Sequence, residues 1–417
     1  MRSASRRTVT FGPMSGRGAR PGHSTSLWVS SALAISMAVL LLGCAAQPER
    51  ERPLPPTLGL EAQVPGIPHA RQWGDEVPAA FDAWLALPPQ ILRARYGGIM
   101  DRPHDYLVIS GGGSDGAFGA GLLVGWSEQG SRPEFQIVTG ISTGAMIAPF
   151  AFLGSDYDQV LRAVYTGLST DDLIERRNLL TIIRGDSALD PRPLRRLIAK
   201  YLDDDLIAAI AAEGSKGRSL LIGTTNLDAG RPVIWDITRI AASTAPGARE
   251  LIRDVILASA SIPGAFPPVL IEVEAADQRY QELHVDGGVT AQLFLSPAGL
   301  DWTRVRQRLG IRGKPDLYII RNAKLRPDWE TVPLRLAPLI TRTISTLIRT
   351  QGIGDLAQIY LTADRHELSY HLAAIPLSFS AESAEPFDRR YMERLFRLGY
   401  AQARQGYPWI RPGRRSA

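Results

Sequence analysis

Ser142 lies at the centre of Gly140-Ile141-Ser142-Thr143-Gly144, between the apolar run Phe135–Thr139 and the apolar, helix-prone stretch Ala145–Leu153. Strand, sharp turn, helix, with a hydroxyl at the apex, is the arrangement that presents a serine as a nucleophile. Glycines two residues either side keep bulk away from the neighbouring strand and helix, which crowd so tight a turn. The chemistry expected of such a serine is attack on an ester or amide carbonyl.

Upstream, the short apolar stretch Tyr106–Ser110 runs into Gly111-Gly112-Gly113-Ser114-Asp115-Gly116, and a helical pattern follows from Ala117 to Gln129. Consecutive glycines at a strand-to-helix junction leave backbone N–H groups bare at a helix N-terminus. Such donors hold the oxyanion of an acyl-transfer intermediate. The same residues also spell Gly-x-Gly-x-x-Gly, the dinucleotide fingerprint, which requires an acidic residue after the second strand. Glu134 precedes that strand instead. A nucleotide site therefore stands as the weaker alternative, beside a turn that only packs helix on strand.

Asp286-Gly287-Gly288 follows the strand-like Glu282–Val285. A carboxylate held at a strand end can take the proton of a serine hydroxyl within hydrogen-bond reach. Alone, Asp-Gly-Gly is an ordinary turn; beside the other two motifs a catalytic role is the expectation. Histidines at 23, 69, 104, 284, 366 and 371 leave a Ser–Asp–His triad open. Chain order permits His366 or His371, and His284 alternates with Asp286 on one face of a strand.

These three motifs in this order resemble the patatin-like phospholipases, a family of lipid acyl hydrolases with a Ser–Asp dyad. The resemblance covers Asp105 to Arg321 and includes the proline-rich turn Ala258–Pro268 ahead of the aspartate. It implies a three-layer α/β/α hydrolase with a largely parallel central sheet. It further implies Ser142 as nucleophile, Asp286 as general base and an oxyanion hole from Gly111, Gly112 and Gly113. Gly116, Gly140, Gly144, Gly287 and Gly288 become its motif glycines, and phospholipid or lysophospholipid the implied substrate. Plant-type members carry aspartate where this chain has Ser110, and a basic residue where it has Asp115. The backbone donors survive that exchange. What changes is the polarity around the loop, and with it the basis for a preference for anionic head groups. A catalytically idle lipoprotein that binds a lipid or an envelope partner is the alternative from another class.

Residues 1–43 contain five arginines and no acid, and their apolar run Leu27–Leu42 ends at Gly43-Cys44. Sixteen residues are short for a span, which needs ~20; a basic region, an apolar core and a small residue describe a secretory signal. The only cysteine of the chain, Cys44, stands where a bacterial lipoprotein signal would be lipidated. Ala45 after it points to an outer membrane, with the protein facing the periplasm. The whole chain holds 47 basic and 42 acidic residues, so removal of those five arginines leaves a formally neutral protein. The high pI belongs to the targeting segment and is no signature of nucleic-acid binding. One cysteine permits no internal disulfide or cysteine metal cluster, and dyad chemistry needs no metal or other cofactor.

The elements that must hold these residues follow. Residues 44–78 read as a proline-rich tether and 79–104 as a helical extension broken at Pro88-Pro89. Residues 105–325 form the catalytic core, with strands expected near 106–110, 135–139, 220–226, 233–237, 269–273, 282–285 and 317–321. Apolar strands alternating with helices argue for a mostly parallel sheet covered on both faces. Leu168–Leu206 reads as helical and mixed in charge, ordinarily a solvated helix pair and the segment best suited to be a lid or cap over the site. Residues 326–417 supply a helix from Val332 to about Gln351, a strand at Leu368–Ile375 and a helix around Pro386–Gln405, all packed on the core. Core packing is the expectation for the apolar face of the first of these helices, with membrane insertion the alternative.

Overall fold

A computed structural model describes residues 50–176, 187, 189–327, 329 and 331–411 of the chain. The signal segment, Cys44 and His23 lie outside the described residues, as do 177–186 of the expected lid and the end of the basic tail.

Eleven strands occur among the described residues: β1 (Arg71–Trp73), β2 (Asp105–Ile109), β3 (Ile137–Ile141), β4 (Glu175–Arg176), β5 (Leu189–Asp190), β6 (Ser219–Asn226), β7 (Arg231–Asp236), β8 (Val269–Ala275), β9 (Gln278–Asp286), β10 (Asp316–Lys324) and β11 (Ser369–Ile375). All but β4 and β5 join one sheet, ordered β1-β7-β6-β3-β2-β10-β11, with β9 pairing β6 and β8. From β11 to β6 the strands run parallel. β7, β1, β9 and β8 close the other side antiparallel. The parallel strands are apolar on both faces and nearly inaccessible, as burial under two helical layers demands. The fold is thus the expected α/β architecture with a largely parallel central sheet.

Five helices matter most for the site: α1 (Gly116–Gln129), α2 (Thr143–Leu153), α3 (Ala248–Ser259), α4 (Leu336–Arg365) and α5 (Arg389–Arg404). α1 is so rich in glycine and alanine that α5 approaches it backbone to backbone; a Cβ at Gly121 would run into the Phe396 carbonyl. The second half of α4 seats Leu356, Ile359 and Ala363 beside Leu317 and Ile319.

Three expectations need correction. Residues 50–78 are not a free tether from Arg50 on: Pro53 bridges to Gln281, β1 pairs with β7, and Ala62, Val64, Ile67 and Ala70 are buried. The cause is a buried charge. Glu282 on β9 is held by Arg71 at 2.5 and 2.9 Å, and Arg71 also donates to the Ala62 carbonyl at 3.0 Å. A buried carboxylate needs such a partner, so the segment that carries Arg71 is tied down.

The described residues of Leu168–Leu206 are not helical throughout. Their helices are Thr170–Leu173, Arg192–Tyr201 and the start of Asp204–Ser215, with β4 and β5 paired antiparallel between them. Ser169 and Asp172 form a capping box, and the chain leaves the first helix extended at Ile174. None of the described residues of this segment lines the cavity above Ser142.

The apolar face of α4 is not packed in the core. Leu336, Leu339, Ile340, Ile344 and Leu347 are all exposed.

Candidate active site

The strand registers bring the serine and the aspartate together. β3 ends at Ile141, which pairs with Gly223 of β6. The next residue of β6, Thr224, pairs with Asp286 at the end of β9. Ser142 and Asp286 therefore leave two strands that pair with successive residues of β6, at the carboxyl edge of the parallel sheet where ligands bind in open α/β folds. β2 and β10 deliver the glycine loop and Asn322 to the same edge through the pairing of Ile109 with Ile320.

Ser142 sits at φ +55° and ψ −124°, a conformation disfavoured for any residue with a side chain. Its N–H donates to Ser259 Oγ at 3.0 Å, and Ser259 Oγ donates onward to the Gly223 carbonyl at 2.7 Å. The elbow is thereby pinned to β6. Room for it exists only because a Cβ at Gly144 would meet the Ile109 and Ser110 carbonyls, and one at Gly140 the Gly144 carbonyl. α2 begins immediately after the serine, so the positive end of its dipole favours charge on Oγ.

The Asp286 carboxylate faces the Ser142 side chain across the floor of the same cavity and accepts the Gly288 N–H at 2.7 Å. Burial pushes the Asp286 pKa up from 3.8 to about 7; the polar Ser142 side chain and the Gly288 N–H hold it from rising further. A general base poised there matches neutral pH. Gly287 packs its bare Cα against the Gly223 carbonyl.

The glycine loop lies against the serine. A Cβ on Gly111 would come 3.3 Å from Ser142 Cβ. Among the described residues no acceptor reaches the N–H of Gly112 or Gly113, while that of Gly111 makes a long 3.4 Å contact with the Gln292 carbonyl. Asn322 holds the loop: its N–H donates to Ser110 Oγ at 2.8 Å, its Nδ2 to the Ser110 carbonyl at 3.0 Å, and its Oδ1 accepts the Gly119 N–H at 3.0 Å. Ser110 Oγ in turn donates to the Gly111 carbonyl at 2.6 Å. Ser110 is thus a brace within the loop. Asp115 accepts from Tyr391 Oη at 2.5 Å and lies near Arg349 and Lys324; burial raises its pKa to about 6.

Ser142, Asp286 and Gly111–Gly113 form the polar end of a cavity of about 660 Å3. Leu227, Ile262, Val289, Ile344, Leu347 and Ile348 line the rest, so the walls suit an acyl chain. Arg321 and Arg349 contribute positive charge to one side. Arg321 is buried, and its Nε and Nη1 have no partner among the described residues. Burial and the neighbouring Arg349 both act against its charged form. Bound anion would relieve that cost.

The histidines lie elsewhere. His284 is wholly buried between Thr224 Oγ1 at 3.0 Å and Glu282 Oε2 at 3.1 Å, and burial lowers its pKa. Its alternation with Asp286 places it two residues further back along β9, under Trp235. His371 pairs with Asp316 at 2.6 Å, His366 with Thr303 at 3.1 Å, and His104 with Tyr106 and the Ile99 carbonyl. None of these, nor His69, lines the cavity. Among the described residues no cluster of three metal-ligating side chains occurs. The roles of Ser259 and Asn322 are not visible in the motifs, because each acts across a long stretch of chain.

Residues 107–298 match the family model of the patatin-like phospholipases. Among solved structures, VipD from Legionella pneumophila is 13% identical with a TM-score of 0.36, over 72% of this chain and 66% of its own. Human GIVD cytosolic phospholipase A2 is also 13% identical with a TM-score of 0.36, over 81% of this chain and 64% of its own. This chain therefore spans less than two thirds of those proteins. No curated protein matches its sequence. The elbow, the glycine loop and the aspartate turn all fall inside residues 107–298, the stretch that is similar to the patatin-like phospholipase family.

Proposed function

We propose that the protein is a lipid acyl hydrolase of the phospholipase A or lysophospholipase kind, working through a Ser142–Asp286 dyad. The observation that carries this is the juxtaposition of buried Ser142 and Asp286 at the polar end of an apolar cavity, beneath glycine N–H groups that have no acceptor among the described residues. Asp286 takes the proton as Ser142 Oγ attacks the ester carbonyl. The N–H groups of Gly112 and Gly113 hold the oxyanion, and the leaving alcohol carries the proton away from Asp286. Water, deprotonated by the same carboxylate, then attacks the acyl-serine and releases the fatty acid, restoring Ser142. The Ser142 N–H is engaged by Ser259, so it serves the elbow and not the oxyanion.

Phosphate-bearing lipid fits the site better than neutral lipid, because Arg321 keeps two buried donors, without acceptors among the described residues, beside the cavity. The basic residue absent from position 115 is thus compensated from β10 and α4. Lipidation of Cys44 would keep the enzyme at an outer membrane, a proposal supported by the signal-like residues 1–43 alone.

The test is fatty-acid release from lysophosphatidylglycerol and from a monoacylglycerol of the same chain length. Wild type is expected to hydrolyse both, the phospholipid faster, and Ser142→Ala neither. Arg321→Gln should lower kcat/KM roughly 10- to 100-fold on the phospholipid, the worth of a charge-assisted hydrogen bond, and less than about threefold on the neutral ester. Release by Ser142→Ala at the wild-type rate contradicts the mechanism; equal loss on both substrates contradicts the role of Arg321.

A further inference from the structure

α4 has two unlike halves. From Leu356 onward it packs on the sheet, and Asp355 fixes the junction by accepting the N–H groups of Gln292 at 2.6 Å and Leu293 at 3.2 Å. Before that point its large aliphatic side chains are bare. Leu336 is 75% exposed and Leu347 65%, with Leu339, Ile340 and Ile344 between 42% and 49%. Leu334, just ahead of the helix, is 93% exposed and Trp329 97%. Leu336, Ile340, Ile344 and Leu347 recur at helical spacing on one side. Large aliphatic side chains exposed together in this way mark an interaction site.

The patch continues into the catalytic cavity. Ile344 and Leu347 line its wall, and Leu227, Ile262 and Val289 are at once exposed and cavity-lining. An apolar collar thus surrounds the opening above Ser142. Charge identifies what covers it. Thr331 to Gly354 contains no aspartate or glutamate and three arginines, Arg335, Arg342 and Arg349, at seven-residue intervals. Seven residues are close to two helical turns, so these cations form a stripe along the opposite side of the helix from the apolar face. An apolar face opposed by a polar face that carries arginine is the composition of a helix that lies in the interface of an anionic bilayer. No helix among the described residues is long and apolar enough to cross a membrane.

We propose that the first half of α4, with the collar of Leu227, Ile262 and Val289, docks on the surface of an anionic lipid bilayer, independently of any anchor at Cys44. Docking seals the cavity mouth against the lipid, and an acyl ester passes to Ser142 without crossing water. This delivery step rests on the lipid-hydrolase reading; the docking itself does not, and is measured without turnover.

The test uses the full chain in a Cys44→Ser background, with an environment-sensitive dye on Ile340→Cys or, as control, on Ser215→Cys, and unchanged thermal unfolding as the folding criterion. Vesicles of phosphatidylglycerol and phosphatidylcholine should blue-shift the dye at position 340 and not at 215, and brominated acyl chains should quench it. Adding Leu336→Glu and Leu339→Glu should weaken the vesicle response at least tenfold. Arg335→Gln with Arg342→Gln, or pure phosphatidylcholine, should weaken it several-fold. Vesicle binding without a shift at position 340 overturns the proposal. So does a shift without vesicles accompanied by a doubled mass in light scattering, which would make a second copy of the chain the occupant.

Discussion

Asp286→Asn is expected to lower kcat/KM by about 10²–10⁴, the usual worth of a positioned general base, while making the protein more stable at alkaline pH. Both effects have one cause. The folded-state pKa of Asp286 is raised from 3.8 to about 7 by burial. The folded protein therefore holds this proton to higher pH than the unfolded chain does. The resulting stabilisation is complete below about pH 4 and is lost as pH rises to about 7; above that, a buried charge is retained at a cost. A displacement of that size corresponds to roughly 4 kcal/mol. Asparagine keeps an acceptor for the Gly288 N–H and has no charge to bury. The melting-temperature difference between Asp286→Asn and wild type should therefore widen from pH 5 to pH 8. Wild-type kcat/KM should rise with pH through about 7 as Asp286 ionises, and the residual activity of the variant should lose that step. A step near 6.5 that persists in Asp286→Asn would point to a histidine.

The second large effect is expected at Gly112. A Cβ there would run into the backbone carbonyl and Cβ of Asn322, which the 2.8 and 3.0 Å hydrogen bonds to Ser110 hold in place. Gly112→Ala must therefore shift the loop, taking the N–H groups of Gly112 and Gly113 off the oxyanion position. Loss of such a donor costs about 10²–10³ in rate. Gly113→Ala is the internal control. Its φ of +57° strains alanine, yet nothing lies within 4 Å of the added Cβ. The cost is backbone strain of about 1–2 kcal/mol, with a smaller fall in kcat. Single-turnover acylation of both variants measures the difference. Equal rates, or wild-type acylation by Gly112→Ala, would remove the glycine loop from the mechanism.

What the sequence made legible is what local geometry determines. The elbow at Ser142 could be read because strand, turn and helix are contiguous and the glycines at 140 and 144 answer to contacts within a few residues or with the next strand. The strand before it was expected at 135–139 and lies at Ile137–Ile141, since Gly140 pairs with Ile109 and Ile141 with Gly223. Asp286 was legible as part of a motif, but its position beside Ser142 depends on β6 passing from β3 to β9, a long-range register with no local signal. Ser259, which holds the elbow, and Asn322, which holds the loop, act over 117 and 212 residues of chain. The packing of residues 50–78 turns on one buried pair, Arg71 with Glu282. For α4, the apolar periodicity was legible and its partner was not, because a face destined for a core and one destined for a lipid surface share one spacing.

The central claim is that Ser142 is a nucleophile activated by Asp286 without a histidine. The most direct measurement is reaction of the full chain with a fluorophosphonate probe, located by peptide mass spectrometry, in wild type, Asp286→Asn and His366→Ala/His371→Ala. The account predicts a single label on Ser142, nearly lost in Asp286→Asn and retained at wild-type rate in the histidine variant. A folded wild type that takes no label at Ser142, or a label that needs a histidine and not Asp286, would contradict it.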